Sequence, residues 1–256
     1  KKENPLTYPL ITIITATFNV AHWLPRLIYS ISAQTYCNIE WIVVDGGSTD
    51  GTVQLLRKHA NMINTWISEP DSGIYDAWNK GIKLAHGDFI CFMGADDYWA
   101  SPTSLDNLVQ ACFNNTDMIS AKAAVISNEG VAIRIFGDPW SRRKMEKRQV
   151  IAHPGALFSV ELFAKFGLFD EAFFMYGEDI DLSYRIQKAG FKVAYFSEAE
   201  IIHYKGESTK RGSLNYVRIF YNAMIIFAQK HFTGQKAKLY AKTINIAVYL
   251  RAAISL

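Results

Sequence analysis

Four stretches in the first hundred residues are rich in apolar, mostly branched side chains, and each is followed by polar residues. Near-continuous apolar runs of this length are typical of strands buried on both faces of a sheet. The predicted strands cover residues 10–15, 39–45, 63–68 and 88–93. Apolar positions at helical spacing predict helices between them, over 22–36, from a cap within Ser48–Asp50 onward, and over 74–84.

The alternation of strand and helix predicts crossover connections and a mostly parallel sheet with helices on both faces. Ligands of such sheets bind outside the carboxyl ends of the strands. In this chain those ends carry Thr15, Asp45, Glu69, Asp71, Asp96 and Asp97. The sequence therefore predicts an α/β fold of Rossmann-like type, with a polar ligand site along one edge of the sheet.

The second half of the chain has a less regular pattern. Residues 117–126 and 131–136 are predicted to pair as strands around a turn at 128–130, and residues 142–148 form a charged loop or exposed helix. Further predicted elements are a short strand at 156–158, a helix at 179–189 and a last strand at 191–196.

We divide the chain into one large domain and a helical appendage. The large domain covers 1–212, with a first half at about 8–100 and a second half at about 101–212. The C-terminal region, 213–256, has broad apolar stripes interrupted by isolated basic residues.

Charge is distributed unevenly along the chain. Residues 210–256 contain eight Lys or Arg and no acid, so subtracting eight from the net charge of +3 leaves −5 for residues 1–209. The basic stripes fit two interpretations, packing on the large domain or contact with an anionic membrane surface. We expect the two parts to meet different partners, and no nucleic acid among them.

Cysteine usage and hydropathy indicate the compartment. The three cysteines have no metal-binding spacing, and Cys91 and Cys112 fall in apolar patterns, so buried reduced thiols are expected. No segment resembles a secretory signal or reaches the roughly 20 apolar residues of a membrane span. We expect a cytoplasmic protein, and the membrane interpretation of the tail would attach it peripherally to the cytoplasmic face of the inner membrane.

Asp96 and Asp97 follow a strand that should be buried. Two adjacent carboxylates there repel each other and lose hydration, and a divalent cation relieves both effects. The competing interpretation is a solvated turn that caps a helix over 99–113. The acidic ends of the neighbouring strands favour the metal site.

Asp45 ends the second predicted strand and is followed by Gly46 and Gly47. Its carboxylate is suited to accept a hydrogen bond from a base N–H or a ribose hydroxyl, while the glycines permit close backbone approach. The competing interpretation is a helix-capping aspartate on an ordinary turn.

Three acids, Glu178, Asp179 and Asp181, begin a predicted helix. The helix dipole favours carboxylates at this end, so one of them is expected to cap the helix. The functional interpretation assigns one as a general base toward an acceptor hydroxyl.

His203 fits either a partly buried structural histidine or a metal or diphosphate ligand, with Lys205 close behind it. His153, before a Pro-Gly pair, is a weaker candidate of the same kind.

Six ordered motifs together resemble one known family. They lie at residues 15–19, 44–52, 68–81, 94–97, 177–182 and 203–208. The chain resembles, from residue 10 to about 232, the inverting family-2 glycosyltransferases with the GT-A fold, of the bacterial polysaccharide and O-antigen type.

The resemblance implies roles residue by residue. Asp179 would be the catalytic base, with Glu178 beside it in contact with the acceptor or the sugar. Asp97 and His203 would hold a divalent cation, Mn²⁺ or Mg²⁺, and His203 and Lys205 would close on the diphosphate. The residues implied to bind the nucleotide sugar are Thr15, Ala16, Thr17, Asn19, Asp45, Gly46, Asp71, Asn79, Lys80, Asp96 and Lys205.

The chain departs from many relatives at Gly94, where they carry a further acid, so Asp97 becomes the principal expected metal ligand. The implied activity is inverting transfer of a sugar from a UDP- or dTDP-sugar to a glycan or polyprenyl-linked acceptor, in cell-surface polysaccharide synthesis.

Two other functions compete with sugar transfer. A sugar nucleotidyltransferase would need a glycine-rich phosphate loop after the first strand, which residues 16–21 do not form. A non-catalytic nucleotide- or glycan-binding module would have no use for the Glu178–Asp179 pair as a base.

Overall fold

The structure, a computed structural model, describes residues 8–112, 116–126, 131–136, 153–173, 177–191, 193–204, 214–232 and, beyond these, 234–235, 238–239, 242–244 and 246. The strands are β1 (Ile11–Thr17), β2 (Ile39–Asp45), β3 (Thr65–Ser68), β4 (Phe89–Phe92), β5 (Tyr98–Trp99), β6 (Met118–Ile126), β7 (Ala132–Phe136), β8 (Leu157–Ser159) and β9 (Val193–Tyr204). The helices are α1 (Leu24–Ser32), α2 (Thr52–Lys58), α3 (Ile74–Leu84), α4 (Ser104–Ala111), α5 (Val160–Phe166), α6 (Glu178–Lys188) and α7 (Leu214–His231).

The strands form one sheet in the order β3-β2-β1-β4-β8-β6-β9-β5, with β7 added to β6. The first four strands are parallel, as predicted. β8 is antiparallel to both β4 and β6, and β9 returns parallel to β6. The predicted α/β class is confirmed, with a parallel first half and a mixed second half.

Helices cover both faces of the parallel half. Leu27 of α1, Leu56 of α2 and Leu105 of α4 share one buried cluster with Ile13 of β1 and Trp41 of β2. This continuous apolar core holds the carboxyl ends of the strands at fixed positions.

α3 packs on the opposite face and approaches the sheet closely. Its Ala77 is buried against Ile42 and Val44 of β2. At Gly81 a Cβ atom would lie 2.4 Å from Cγ2 of Ile14, so only glycine permits the observed distance between helix and strand.

The helix predicted to begin at residue 99 is wrong in its start. Tyr98 and Trp99 form β5 and pair with Ile202 and Ile201 of β9, so this segment is a sheet edge. α4 begins only at Ser104, which leaves Asp96 and Asp97 too far away to cap it.

The last strand is twice as long as predicted. β9 runs through the mainly polar segment 197–200 because the register shifts there: Ala121 pairs with Phe196, but the next residue, Lys122, pairs with Glu200. Such a bulge breaks the apolar pattern without ending the strand. His203 therefore lies within β9 rather than just past a strand.

Other predictions for the second half have mixed outcomes. β6 and β7 pair antiparallel, as predicted. Cys91 and Cys112 are buried free thiols, as predicted, while Cys37 is exposed. The charged segment 142–148 lies outside the described residues.

The contacts divide the chain into two compact units. One comprises Lys1–Leu168 and Ile186–Lys205, and the other Phe169–Arg185 and Gly206–Leu256. The start of α6 thus groups with α7. The domain boundary expected after residue 212 stays a prediction. Among the helices of the described residues, none has the length and apolarity to cross a bilayer.

We expect Gly81→Ala to destabilise the protein. The new methyl group would overlap Ile14, at a cost of about 1–3 kcal/mol, which exceeds the gain of about 1 kcal/mol from alanine's helix propensity. Urea denaturation measures the difference, with Lys83→Ala on the exposed face of α3 as the matched control. In a protein that already carries Ile14→Ala, the further substitution Gly81→Ala should cost no additional stability. An increase in stability of the Gly81→Ala single variant would contradict the close packing.

Candidate active site

The register of three parallel strands aligns three polar side chains at their carboxyl ends. Thr17 of β1 pairs with Asp45 of β2, and Asp45 pairs with Ser68 of β3. The Thr17 hydroxyl donates to Oδ1 of Asp45 at 2.8 Å, and the Ser68 hydroxyl donates to Oδ2 at 2.7 Å. The Asp45 carboxylate thus joins the ends of all three strands.

The loop after β2 completes the shell around this carboxylate. The Ser48 hydroxyl donates to Oδ1 at 2.5 Å, and the backbone N–H groups of Gly47 and Ser48 donate to Oδ2 at 3.1 and 2.9 Å. Burial alone would raise the pKa of Asp45, but the hydrogen bonds, led by those of Ser48 and Ser68, lower it below its usual value. Asp45 is fully buried, so a ligand would have to replace one of these donors to reach it.

The loops after β1 and β2 are linked to each other. Asn19 adopts a left-handed backbone with φ of 53°, its side chain accepts the N–H of Thr49 at 2.9 Å, and its own N–H donates to the Ser48 hydroxyl at 2.8 Å. Asp50 accepts the N–H of Ala21 at 2.9 Å. The N-cap of α2 is Gly51, one residue beyond the cap predicted within Ser48–Asp50.

Thr15 and Asn79, both predicted to bind nucleotide, are buried like Asp45. Thr15 has no exposed surface, and its hydroxyl accepts the indole N–H of Trp41 at 3.1 Å. Asn79 of α3 is also buried. Ala16, which follows Thr15, is half-buried. The hydroxyl that β1 brings to its carboxyl end is that of Thr17.

Phe18 is a candidate that the sequence patterns missed. Its side chain is 63% exposed directly after β1, beside Asn19. The available signal was an aromatic residue in an otherwise polar loop.

Asp71 differs from Asp45 in having a less occupied carboxylate. Its Oδ1 accepts the N–H of Gly73 at 3.0 Å, whereas Oδ2 accepts no hydrogen bond from the part of the chain that the structure describes. Burial raises the pKa of Asp71, and the Gly73 N–H opposes that rise. Oδ2 lies only 2.7 Å from the place that a Cβ on Gly46 would occupy. Glycine at 46 therefore leaves room for this oxygen.

Lys80 is tied to the segment after β3. Its Nζ lies 2.8 Å from Oε1 of Glu69 and 3.4 Å from Oδ2 of Asp76. The hydrogen bond to Glu69 is the main cause of the raised pKa of Lys80. The lysine therefore supports the region around Asp71.

Asp97 closes a tight turn after β4. Its N–H donates to the carbonyl of Gly94 at 3.0 Å, and its Oδ2 accepts the N–H of Gly94 at 2.8 Å. A Cβ at position 94 would lie 2.7 Å from Oδ1 of Asp96 and 2.9 Å from Oδ2 of Asp97. The absence of an acid at position 94 thus has a steric reason, because any side chain there would displace one of the two carboxylates.

His203 of β9 pairs with Asp97. Its Nδ1 lies 2.6 Å from Oδ1 of Asp97, whose side chain is almost completely buried. Burial opposes a charged imidazole, but the attraction of Asp97 outweighs it and raises the pKa of His203 to about 9. At neutral pH the pair is therefore an ion pair within one unit of the chain.

Asp97 and His203 fit a divalent cation that takes its other ligands from a substrate. No group of three or more His, Cys, Asp or Glu suited to a metal occurs among the described residues. Mg²⁺ is commonly held by one or two carboxylates together with substrate phosphates, and imidazole suits Mn²⁺ and related metals. Binding would release the proton that the pair now shares.

Three of the remaining predicted residues have no described side-chain geometry. Glu178 and Asp179 are the first two residues of α6, and their side chains, like the whole of Lys205, lie outside the described part. His153 is buried against the rings of Trp78, Phe92 and Phe158. The ligand contacts expected from the sequence stay predictions.

We expect the Asp97–His203 pair to contribute stability that depends on pH. The pKa of His203 is raised from 6.5 to about 9 on folding, so the contribution is complete below the lower value and is lost as the pH rises through the higher one. The difference in unfolding free energy between wild type and His203→Gln should therefore shrink as the pH is raised across this range. Urea denaturation measures it, and a constant or growing difference would contradict the ion pair.

Comparison with known proteins identifies the family to which the chain is similar. The model for glycosyl transferase family 2 matches residues 12–166. An uncharacterized glycosyltransferase of Mycobacterium tuberculosis is 36% identical over 172 residues, which cover 63% of this chain and 63% of that protein. A PGL/p-HBAD biosynthesis glycosyltransferase of Mycobacterium bovis is 41% identical over 133 residues, covering 51% of this chain and 46% of the relative. The match thus spans less than two thirds of these relatives.

Solved structures share the fold at low identity. TarS of S. aureus in complex with UDP has a TM-score of 0.65 and 17% identity, covering 91% of this chain and 70% of that one. The mannosyltransferase PcManGT from Pyrobaculum calidifontis, in complex with GDP-Man and Mn²⁺, has a TM-score of 0.68 and 20% identity, covering 98% and 75%. The family model covers more than half of the residues of this chain, and the chain therefore belongs to glycosyl transferase family 2.

Proposed function

We propose that the chain transfers a sugar from a nucleoside diphosphate sugar to an acceptor hydroxyl, with inversion at the anomeric carbon. One observation carries the proposal: the loops around Asp45, buried Asp97 after β4 and its partner His203 near the end of β9 all lie at the carboxyl ends of parallel strands of one sheet. In an open α/β sheet that edge is where nucleotides bind. Membership of the family supports the same reaction class.

The nucleoside binds beside Asp71 and Phe18. The Oδ2 oxygen of Asp71 is the acceptor for a base N–H or a ribose hydroxyl, because the corresponding oxygens of Asp45 are already occupied. Phe18 offers an exposed ring face, on which a planar base stacks. Asp45, Thr17 and Asn19 act by fixing the loops that shape the pocket.

Asp97 and His203 would hold a divalent cation that takes its remaining ligands from the diphosphate. When bound, the cation supplies Lewis-acid stabilisation of the charge on the leaving group. Asp97 is fixed by the Gly94 turn and so keeps one orientation. Lys205 provides a further positive charge to the leaving diphosphate. Asp96 contacts the ribose or the sugar.

Asp179 removes the proton from the acceptor hydroxyl as its oxygen attacks the anomeric carbon. Attack from the face opposite the diphosphate forms the new glycosidic bond while the bond to the diphosphate breaks, so configuration inverts in one step. Glu178 contacts the acceptor or the sugar. The position of Asp179 at the start of a helix favours its ionised form, which is the form a base needs.

The donor and acceptor are proposed by class. TarS is known with UDP and UDP-GlcNAc and PcManGT with GDP-Man, which supports a nucleoside diphosphate sugar; we favour UDP or dTDP. The acceptor we propose is a glycan or a polyprenyl-linked glycan of the cell surface. Synthesis on a lipid carrier would take place at the cytoplasmic face of the inner membrane.

We expect Asp71→Asn to weaken nucleotide binding by about 10- to 100-fold, because a hydrogen bond to a charged group is lost. Gly46→Ala should weaken it as well, since its methyl group displaces the same oxygen. Calorimetric titration with UDP, dTDP and GDP measures the affinity, with the exposed Glu161→Gln on α5 as the control. Unchanged affinity in both variants would exclude Asp71 from the nucleoside pocket.

Asp179→Asn should bind nucleotide as wild type does but turn over about 10²- to 10⁴-fold more slowly, which is the usual contribution of a general base. Donor consumption and nucleotide affinity are measured together, with exposed Glu198→Gln as the control. Turnover near the wild-type rate would remove Asp179 from the reaction.

We propose that the basic C-terminal region attaches the protein to anionic membranes. Each Lys or Arg near such a surface contributes about 1 kcal/mol, and Leu239 and Ile246 are exposed among these residues. Flotation with vesicles containing anionic lipid should recover the full chain but much less of a chain lacking residues 233–256. Equal recovery of the two would favour the alternative, in which the region packs on the catalytic domain.

A further inference from the structure

The second compact unit contains a buried carboxylate that the proposed reaction does not use. Asp181 lies in the first turn of α6, two residues after Asp179, and its side chain has no exposed surface. Its N–H donates to the carbonyl of Gly177 at 2.8 Å. An ionised carboxylate in such a place requires partners that compensate its lost hydration.

Three side chains supply that compensation. Arg185, one turn along α6, places Nε and Nη2 each 2.9 Å from Oδ2 of Asp181. Lys230 of α7 places Nζ 3.1 Å from the same oxygen, and His231 places Nε2 2.5 Å from Oδ1. Two of the three partners therefore come from the last two residues of the C-terminal helix.

Further contacts fix the two partners on α7. Lys230 also binds Asp170 at 2.6 Å; burial alone would raise the pKa of Asp170, but Lys230 lowers it. The ring of His231 lies 4.6 Å from that of Tyr184 and 4.7 Å from that of Phe227, measured between centroids. The cluster is thus held by charge, hydrogen bonds and ring packing together.

A second contact joins α7 to the residue before α6. Gly177 has φ of 92°, and a Cβ there would lie 3.3 Å from Cβ of Ala223 in α7. Ala223 and Lys230 are two helical turns apart, so α7 contacts the start of α6 at residues 177 and 181. Glu178 and Asp179 lie between these two points in the sequence.

We infer that Asp181 is a positioning residue, and that Lys230 and His231 of the C-terminal helix act through it to hold the first turn of α6 for catalysis. This inference rests on the proposed role of Asp179. Positions 179 and 181 are about 200° apart around a helix axis, so an anchor at 181 fixes the helix without occupying the face at 179. The C-terminal helix is then part of the catalytic apparatus.

The first test measures the brace itself and does not depend on activity. Lys230→Met removes one partner and His231→Gln replaces the imidazole, with its ring contacts, by an amide, while Gln229→Met introduces a methionine at an exposed neighbouring position. Hydrogen exchange of the full-length variants should accelerate in the peptide covering 177–185 for the first two and not for the control. Exchange over 39–68 should stay as in wild type. Unchanged exchange over 177–185 in both variants would overturn the inference.

The second test connects the brace to catalysis. A small misplacement of a catalytic group costs up to about 10²-fold in rate, so Lys230→Met and His231→Gln should lower kcat for donor hydrolysis by about 10- to 100-fold. The donor is whichever of UDP-GlcNAc, GDP-Man or a dTDP-sugar wild type consumes fastest. KM for that donor should change less than about 2-fold, since its proposed pocket lies in the other unit. Lys230→Arg keeps the cation and should retain most of kcat.

The outcomes separate the two hypotheses. If wild type and Gln229→Met consume no donor, the proposed function fails, while hydrogen exchange still tests the brace. If wild type is active and both Lys230→Met and His231→Gln keep kcat, the positioning role is wrong. Loss of kcat in proportion to the folded fraction, with Lys230→Arg no better than Lys230→Met, would reduce the cluster to a purely structural one and overturn the inference.

Discussion

The hydrogen-bonded carboxylate of Asp45 is the interaction on which the proposed nucleotide site depends. It accepts five hydrogen bonds, from the ends of β1 and β3 and from the loop after β2. A buried carboxylate left without these donors would be costly, so the carboxylate and the loops fix each other. The loops at the carboxyl ends of β1 and β2 are thereby ordered before any ligand binds, which reduces the ordering that binding requires.

The same principle applies at the two other acidic positions, with different consequences. Asp97 accepts hydrogen bonds from a backbone N–H and an imidazole, which hold it in one orientation, so a metal bound there would compete with the proton of the imidazole. Asp181 has three basic side chains around it and no exposure, which suits an anchor rather than a ligand. Burial and partners thus separate three aspartates that look alike in the sequence into an organiser of the loops, a proposed metal ligand and a proposed brace.

Much of the first half could be predicted from the sequence. α3 begins and ends at the predicted residues, and the four parallel strands are where the apolar runs lie, because buried strands of such sheets leave a strong pattern. The end of β1 was less predictable: polar Thr17 continues the strand through pairing with Asp45, so Thr17 rather than Thr15 supplies the hydroxyl. Which aspartate carboxylate has all its hydrogen-bonding positions occupied depends on strand register, which local sequence does not encode.

The second half was harder for identifiable reasons. A bulge interrupts the apolar pattern of β9, and β5 is too short to show a pattern of its own. Two of the three partners of Asp181, Lys230 and His231, lie 49 and 50 residues further along the chain, in a region whose basic residues the sequence pattern assigns to domain packing or to a membrane surface. Long-range ion pairs of this kind follow from tertiary packing, and residue composition alone does not reveal them.

The most direct test of a nucleotide site at this sheet edge is a titration followed by backbone amide chemical shifts. Adding UDP, dTDP or GDP to the full chain should shift the amides of Thr17–Asn19, Gly46–Ser48 and Asp71–Gly73, and the corresponding sugar nucleotide with Mn²⁺ should extend the changes to Gly94–Asp97. Changes confined to other parts of the chain, with these amides unmoved at saturating nucleotide, would contradict the account.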